Sequence, residues 1–280
     1  MKILVPTDFS DNASQALKFA FDFSHKIEVE IMLFHGFQLQ PVNHNMGNFI
    51  LPDNIEDFRK SALKKLESLS AKFSRTGVKF THVVEYGFFS DLVEEIVEKE
   101  NIDLIIMGTQ GASGLSEIIL GSNTSKVMNT VDIPVIAVPN DADFSSMDKI
   151  VFATEFKDCD AEYLIRLRIL FNESQSEINV VHVMFHEDDE IKNSCKDLIQ
   201  FFEAEVKNLD KSERYSFHLV EAETVEEGIN NFIEENNIKL IALTSYKKGF
   251  FERLFTSDLT RKMAFHSKIP VLSFPAKIID

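Results

Sequence analysis

Three features of this 280-residue sequence predict an α/β fold made of two tandem, doubly wound, five-stranded parallel-sheet domains. The chain repeats itself at a nearly constant spacing. Each copy alternates short β-type runs with longer helical patterns, as parallel sheets with crossover helices require. The β-type runs are almost continuously apolar, as expected when helices cover both faces of a sheet.

The repeat is read residue by residue. Ile3-Leu4-Val5-Pro6-Thr7-Asp8-Phe9 returns as Ile150-Val151-Phe152-Ala153-Thr154-Glu155-Phe156, an offset of 147 that also carries His35 onto His182. Beyond that point the offset is 136. It brings Thr81-His82-Val83-Val84-Glu85 onto Phe217-His218-Leu219-Val220-Glu221, and Ile133-Pro134-Val135 onto Ile269-Pro270-Val271. The second copy is therefore 11 residues shorter, and the shortening lies between His182 and His218. A polar stretch over 140–146 reads as the linker, which places the domains at 1–142 and 147–280.

In the first copy the apolar runs predict strands over 2–5, 30–35, 79–85, 104–107 and 135–138. Ser10 and Asp11 are cap candidates for a first helix that carries Ala13, Leu17, Ala20 and Phe21 at helical spacing. Helices over about 54–73 and 90–100 follow from Phe58, Leu63, Leu66 and Leu69, and from Leu92, Val93, Ile96 and Val97. A fourth must begin near Gly121-Ser122 and stop before Pro134. The second copy predicts strands over 149–153, 179–183, 217–221, 240–243 and 271–274.

Composition narrows the class. With 29 basic against 45 acidic residues the formal charge is −16, which repels nucleic-acid backbones and anionic lipid surfaces. The two cysteines, Cys159 and Cys195, are too few for a disulfide framework. The first eight residues reach Asp8 after a short apolar run, unlike a secretory leader, and no stretch has the length of a membrane span. The expectation is a cytoplasmic protein that binds neither nucleic acid nor membrane.

Open α/β sheets take ligands beyond the carboxyl ends of the strands where the winding reverses, here strands 1 and 4. Pro6, Thr7 and Asp8 follow one of these ends; Met107, Gly108, Gln110 and Gly111 border the other. The stretch from Gly108 to Thr124 has the pattern G-x2-G-x9-G-S. Gly108 and Gly111 permit a sharp turn and close backbone approach. Gly121-Ser122 opens a helix whose unpaired N–H groups form an anion site, and Ser122 and Thr124 add hydroxyl donors. Asp8 suits a ribose hydroxyl or an adenine amino group. Taken singly these features read as a loop and a helix cap. Together they describe a mononucleotide with its phosphates on the fourth helix.

On these residues the sequence resembles the universal stress protein family, as two Rossmann-like family domains in tandem with the nucleotide motif complete in the first only. The resemblance implies that Asp8 faces the adenosine, Gly36 lies beside adenine and Met107-Gly108 borders the ribose. It further implies that Gly111, Gly121, Ser122, Asn123 and Thr124 hold the phosphates of ATP, with Mg2+ bridging them and no metal ligand from the protein. Gly36 has no side chain where the family packs an apolar one, and Asn123 is larger than the usual residue. The resemblance also implies pairing of the two halves through their last strands, an internal pseudo-dimer, and a homodimer of such chains.

In the second copy Thr244, Lys247, Ser257 and Asp258 stand where the first has Gly108, Gly111, Gly121 and Ser122, and Glu155 replaces Asp8. That half reads as structural or partner-binding, although Lys247, Lys248 and Arg253 leave a weaker anion site open. Neither a P-loop nor a dinucleotide fingerprint occurs. His44-Asn45-Met46-Gly47 reads as loop, His182 as an ordinary strand histidine in preference to a metal ligand together with His186, and 93–100 as a solvated acidic face. Phe201 and Phe202 read as helix core. No nucleophile–base pair is recognisable, so no catalytic residue is expected. The leading expectation is a regulatory ATP-binding role; the rivals are a slow ATPase or phosphotransferase, and a nucleotide-free scaffold.

Overall fold

The computed structural model describes residues 1–24, 28–38, 52–73, 77–109, 121–142, 147–157, 159–172, 175–184, 189–245 and 269–275. The first half runs β1 (Lys2–Pro6), α1 (Asp11–Ser24), β2 (Glu30–Phe37), α2 (Pro52–Ala71), β3 (Lys79–Tyr86), α3 (Phe89–Glu100), β4 (Leu104–Gly108), α4 (Ser122–Thr130) and β5 (Val135–Val138). The second runs β6 (Lys149–Ala153), α5 (Asp160–Leu170), β7 (Glu177–Met184), α6 (Asp189–Leu209), β8 (Tyr215–Glu221), α7 (Val225–Asn236), β9 (Leu240–Ser245) and β10 (Val271–Pro275).

The strands lie in one ten-stranded sheet in the order β3-β2-β1-β4-β5-β10-β9-β6-β7-β8. Each half is parallel throughout, and the winding reverses at β1/β4 and again at β6/β9. The junction is the exception. There β5 and β10 pair antiparallel, with Leu272 opposite Ile136 and Val271 opposite Ala137. Ile3 and Val5 face one apolar core and Leu4 the other, as alternation along a strand demands. Both cores take residues from both halves, and Phe23 beyond the middle of α1 meets Phe171 at the end of α5 with ring centroids 5.6 Å apart.

Local chemistry accounts for the element ends. Ser10 caps α1, its Oγ accepting from the Ala13 N–H at 3.2 Å. Helix α2 begins two residues earlier than its apolar pattern, at Pro52, which the first turn tolerates because its missing N–H would be unpaired there. Helices α3 and α7 both end on a left-handed asparagine, Asn101 at φ 51° and Asn237 at φ 55°. Strand β7 starts two residues before the predicted run because its first residue, Glu177, is polar and exposed. One expectation fails. Phe202 is buried in the core, but Phe201 is 73% exposed, since adjacent residues on a helix point about 100° apart. Glu94, Glu95 and Glu98 on α3 do face solvent.

Candidate functional site

The turn after β1 is built identically in both copies. The Thr7 N–H donates to Phe34 O at 2.8 Å, and the Thr154 N–H to Val181 O at 3.0 Å. Thr7 Oγ1 accepts from the Phe9 N–H, and Thr154 Oγ1 from the Phe156 N–H, at 3.0 and 2.9 Å. Phe9 and Phe156 sit in the left-handed region at φ 66° and 57°, a strain of about 1–2 kcal/mol each for a residue with a Cβ. A histidine offsets it in each copy. His35 Nδ1 donates to Thr7 O at 2.7 Å and its ring meets Phe9 at 4.5 Å; His182 does the same with Thr154 O at 2.9 Å and Phe156 at 4.5 Å. His182 is thereby a strand histidine that fixes a turn. Among the described residues no group of acidic, histidine or cysteine side chains is arranged to hold a metal ion. His44–Gly47 and His186 lie outside the described residues.

In the first half this turn opens onto a cavity of about 470 Å³ over the β1/β4 reversal. Pro6, Thr7 and Asp8 line it from the end of β1, and Met107 and Gly108 from β4. Gly36 contributes from β2, and Gly121, Ser122, Asn123 and Thr124 from the start of α4. Ten of the residues picked from the sequence therefore share one cavity, while Gln110 and Gly111 lie outside the described residues.

The geometry favours an anion at α4. Its cap is Gly121, which has no side chain to offer, so the first N–H groups of the helix have no intrahelical partner. The Gly121 N–H itself donates to Thr109 O at 2.6 Å, and the Thr124 hydroxyl to Gly108 O at 2.8 Å. These two bonds tie α4 to the end of β4, so Thr124 acts as a clamp, and Ser122, exposed, is the hydroxyl open to a ligand. Gly108 cannot be replaced freely, since a Cβ there would stand 2.3 Å from Asn12 Oδ1. Asp8 is exposed at the rim, with Oδ1 accepting from the Ser10 N–H at 3.0 Å.

The sequence reading missed part of the wall. Gln38 after β2, Phe88 and Ser90 after β3, and Lys126 on α4 also line the cavity. Lys126 Nζ lies 3.9 Å from Asp91 with more than half of its side chain exposed, which leaves a cation beside the anion site. Applying the carboxyl-end rule to the strand 2 and strand 3 loops as well would have found Gln38, Phe88 and Ser90.

In the second half a buried acid stands at the corresponding reversal. Asp160, 1% exposed at the start of α5, accepts from the Thr154 hydroxyl at 2.7 Å, the Thr244 hydroxyl at 3.0 Å and the Lys157 N–H at 3.1 Å. Thr244 is the residue that stands in place of Gly108. The carboxylate ties the turn after β6 to β9 across this reversal. Lys247, Lys248, Arg253, Ser257 and Asp258 lie outside the described residues.

A family model described as the universal stress protein family matches residues 1–139. A universal stress protein of Methanocaldococcus jannaschii is 30% identical over 151 residues, covering 49% of this chain and 93% of that protein. The chain belongs to the universal stress protein family. Universal stress protein YxiE of Bacillus subtilis is 27% identical over 49% of this chain and 97% of its own length. A universal stress protein structure from Archaeoglobus fulgidus shares the fold along the whole molecule, with a TM-score of 0.74, 22% identity and 98% of each chain covered. The relatives found by sequence are thus half-length universal stress proteins, whereas the Archaeoglobus fulgidus structure matches both halves.

Proposed function

We propose that this universal stress protein binds an adenine nucleotide, ATP with Mg2+, in its first half alone and uses it as a regulatory ligand in a stress response. The observation that carries the reading is the single cavity in which Pro6–Asp8, Met107-Gly108 and Gly121–Thr124, far apart in sequence, converge at the β1/β4 reversal. The uncapped start of α4, the Ser122 hydroxyl and Lys126 suit the phosphates. Asp8 suits a hydroxyl or amino donor of the nucleoside. Mg2+ would arrive on the phosphates and offset their charge in a chain of net −16. In this reading the nucleotide is a ligand to be sensed.

The antiparallel β5/β10 pairing supports an internal pseudo-dimer of the two domains, 1–142 and 147–280, and a homodimer of such chains is a further level of assembly. The free thiols of Cys159 and Cys195 suit the reducing cytoplasm. Thermal unfolding with ATP and Mg2+ tests the reading. At 100 times Kd the linkage amounts to about 2.7 kcal/mol, a rise of about 5 °C in Tm, and Gly121→Val abolishes it by placing a branched side chain over the helix N–H groups. No shift in the wild type, with no nucleotide in the mass spectrum of what the denatured protein releases, overturns it.

A further inference from the structure

Among the described residues of the first half Phe88 is the most exposed aromatic, at 70%, and it lines the cavity. Its neighbours have partners. Phe89 stacks on Phe34 at 6.0 Å, and Phe37 contacts both Phe58 and Tyr86 at 6.2 and 5.7 Å. Among the described residues no ring contact is made by Phe88. Left in water, a phenyl ring gives up the stabilisation that burial would supply, so the fold gains nothing from it there.

The second copy shows what the fold would prefer. Offset by 136, Phe88 corresponds to Thr224, and both residues are the N-cap of the helix after the third strand of their half. Thr224 Oγ1 accepts from the Glu227 N–H at 3.1 Å, an ordinary cap. Phe88 makes no side-chain cap. The first half has therefore forgone a helix cap for an exposed ring at its cavity, and the second half has kept the cap. Across the cavity, Gly36 offers no side chain, and a Cβ there would come within 3.0 Å of the Phe34 ring. The β2 wall is consequently bare backbone at Gly36, and apolar surface for a planar group comes from other elements, Phe88 and Met107 among them. Gly87, at φ +154°, turns the chain into Phe88 in a conformation residues with a Cβ rarely adopt.

We infer that Phe88 is the platform on which the base of the bound nucleotide stacks, the residue that gives this cavity its preference for a nucleoside over a bare polyphosphate. The inference rests on the nucleotide reading above. A phenyl face stacks on any base, so it sets affinity for the nucleoside class, and discrimination among bases falls to polar groups such as Gln38 and Asp8.

The test compares calorimetric titrations of the wild type, Phe88→Thr and Phe88→Trp with Mg-ATP and with inorganic tripolyphosphate. Phe88→Thr installs the cap of the second copy, so its Tm without ligand stays at or above that of the wild type. Its affinity for ATP falls about tenfold, and its affinity for tripolyphosphate is unchanged. The chain contains no tryptophan, so Phe88→Trp introduces a single reporter whose fluorescence is quenched as ATP binds. Undiminished ATP affinity in Phe88→Thr, an equal loss for tripolyphosphate, or unquenched emission from an ATP-saturated Phe88→Trp each overturns the stacking role. Failure of the wild type itself to bind ATP overturns the nucleotide reading and this one with it.

Discussion

Removing the carboxylate of Asp160 should unfold this protein more readily than any comparable change near the first-half cavity. Three donors converge on that group: the hydroxyls of Thr154 and Thr244 and the Lys157 N–H, at 2.7, 3.0 and 3.1 Å. Asp160→Ala leaves all three in a site that is 1% exposed. A buried donor without a partner costs about 1–3 kcal/mol, and the two hydroxyls recover part of this by turning, so the loss comes to about 3–4 kcal/mol. That is a large part of the roughly 5–15 kcal/mol that stabilises a typical domain. Asp160→Asn keeps the volume but turns an N–H2 group toward donors, for about 2 kcal/mol. Urea denaturation followed by circular dichroism measures both. Thr244→Val should cost little more once Asp160 is alanine, since the partner it would lose is already gone. Stability of Asp160→Ala within about 0.5 kcal/mol of the wild type would refute the claim that this carboxylate braces the β6/β9 reversal.

Gly108→Ala sets a methyl group 2.3 Å from Asn12 Oδ1 and 2.8 Å from its Cγ, displacing a buried side chain that donates to Val138 O at 3.1 Å. A loss of about 1–3 kcal/mol is expected together with loss of the ATP-induced rise in Tm, and an unchanged melt and titration would contradict both. Stability should also fall between pH 7.5 and 5.5. Burial holds His82 and His218 below the ordinary histidine value of 6.5, against the opposing pull of Glu67 and Glu177. A depressed histidine favours the fold fully above the unfolded value, and that contribution is lost as pH falls through 6.5 toward the lower folded values. Replacing both by glutamine should flatten the fall in Tm over this range. An equally steep fall in the double variant would assign the effect elsewhere.

The repeat, the strand order and the cavity were legible because each rests on local pattern. Apolar runs mark strands, a glycine pair marks a close approach, and the reversal rule turns chain order into place. Lys126 was not legible as part of the wall, and Phe88 was legible only by its place after strand 3, because an exposed phenylalanine before a helix carries no period. Only comparison with Thr224 in the folded repeat shows that a cap is missing there. Asp160 was hidden for a different reason. It stands at the start of a helix, where an acidic residue ordinarily serves the helix dipole, and nothing in the spacing says that it reaches back across two strands. Phe201 and Phe202 show the same limit on a smaller scale, since their spacing does not say which of the two faces the core.

Joining β5 to β10 within one polypeptide has a consequence for how the halves can diverge. Two separate chains meeting through such an edge would share every substitution, so a change that closed one crevice would close both. Here the pairing is intramolecular and independent of protein concentration. Each first half is permanently seated beside one second half. The second half can carry Thr244 in place of a glycine and the buried Asp160 in place of an alanine while still presenting Val271 and Leu272 to Ala137 and Ile136. A dilute cell and a crowded one would hold the same asymmetric unit.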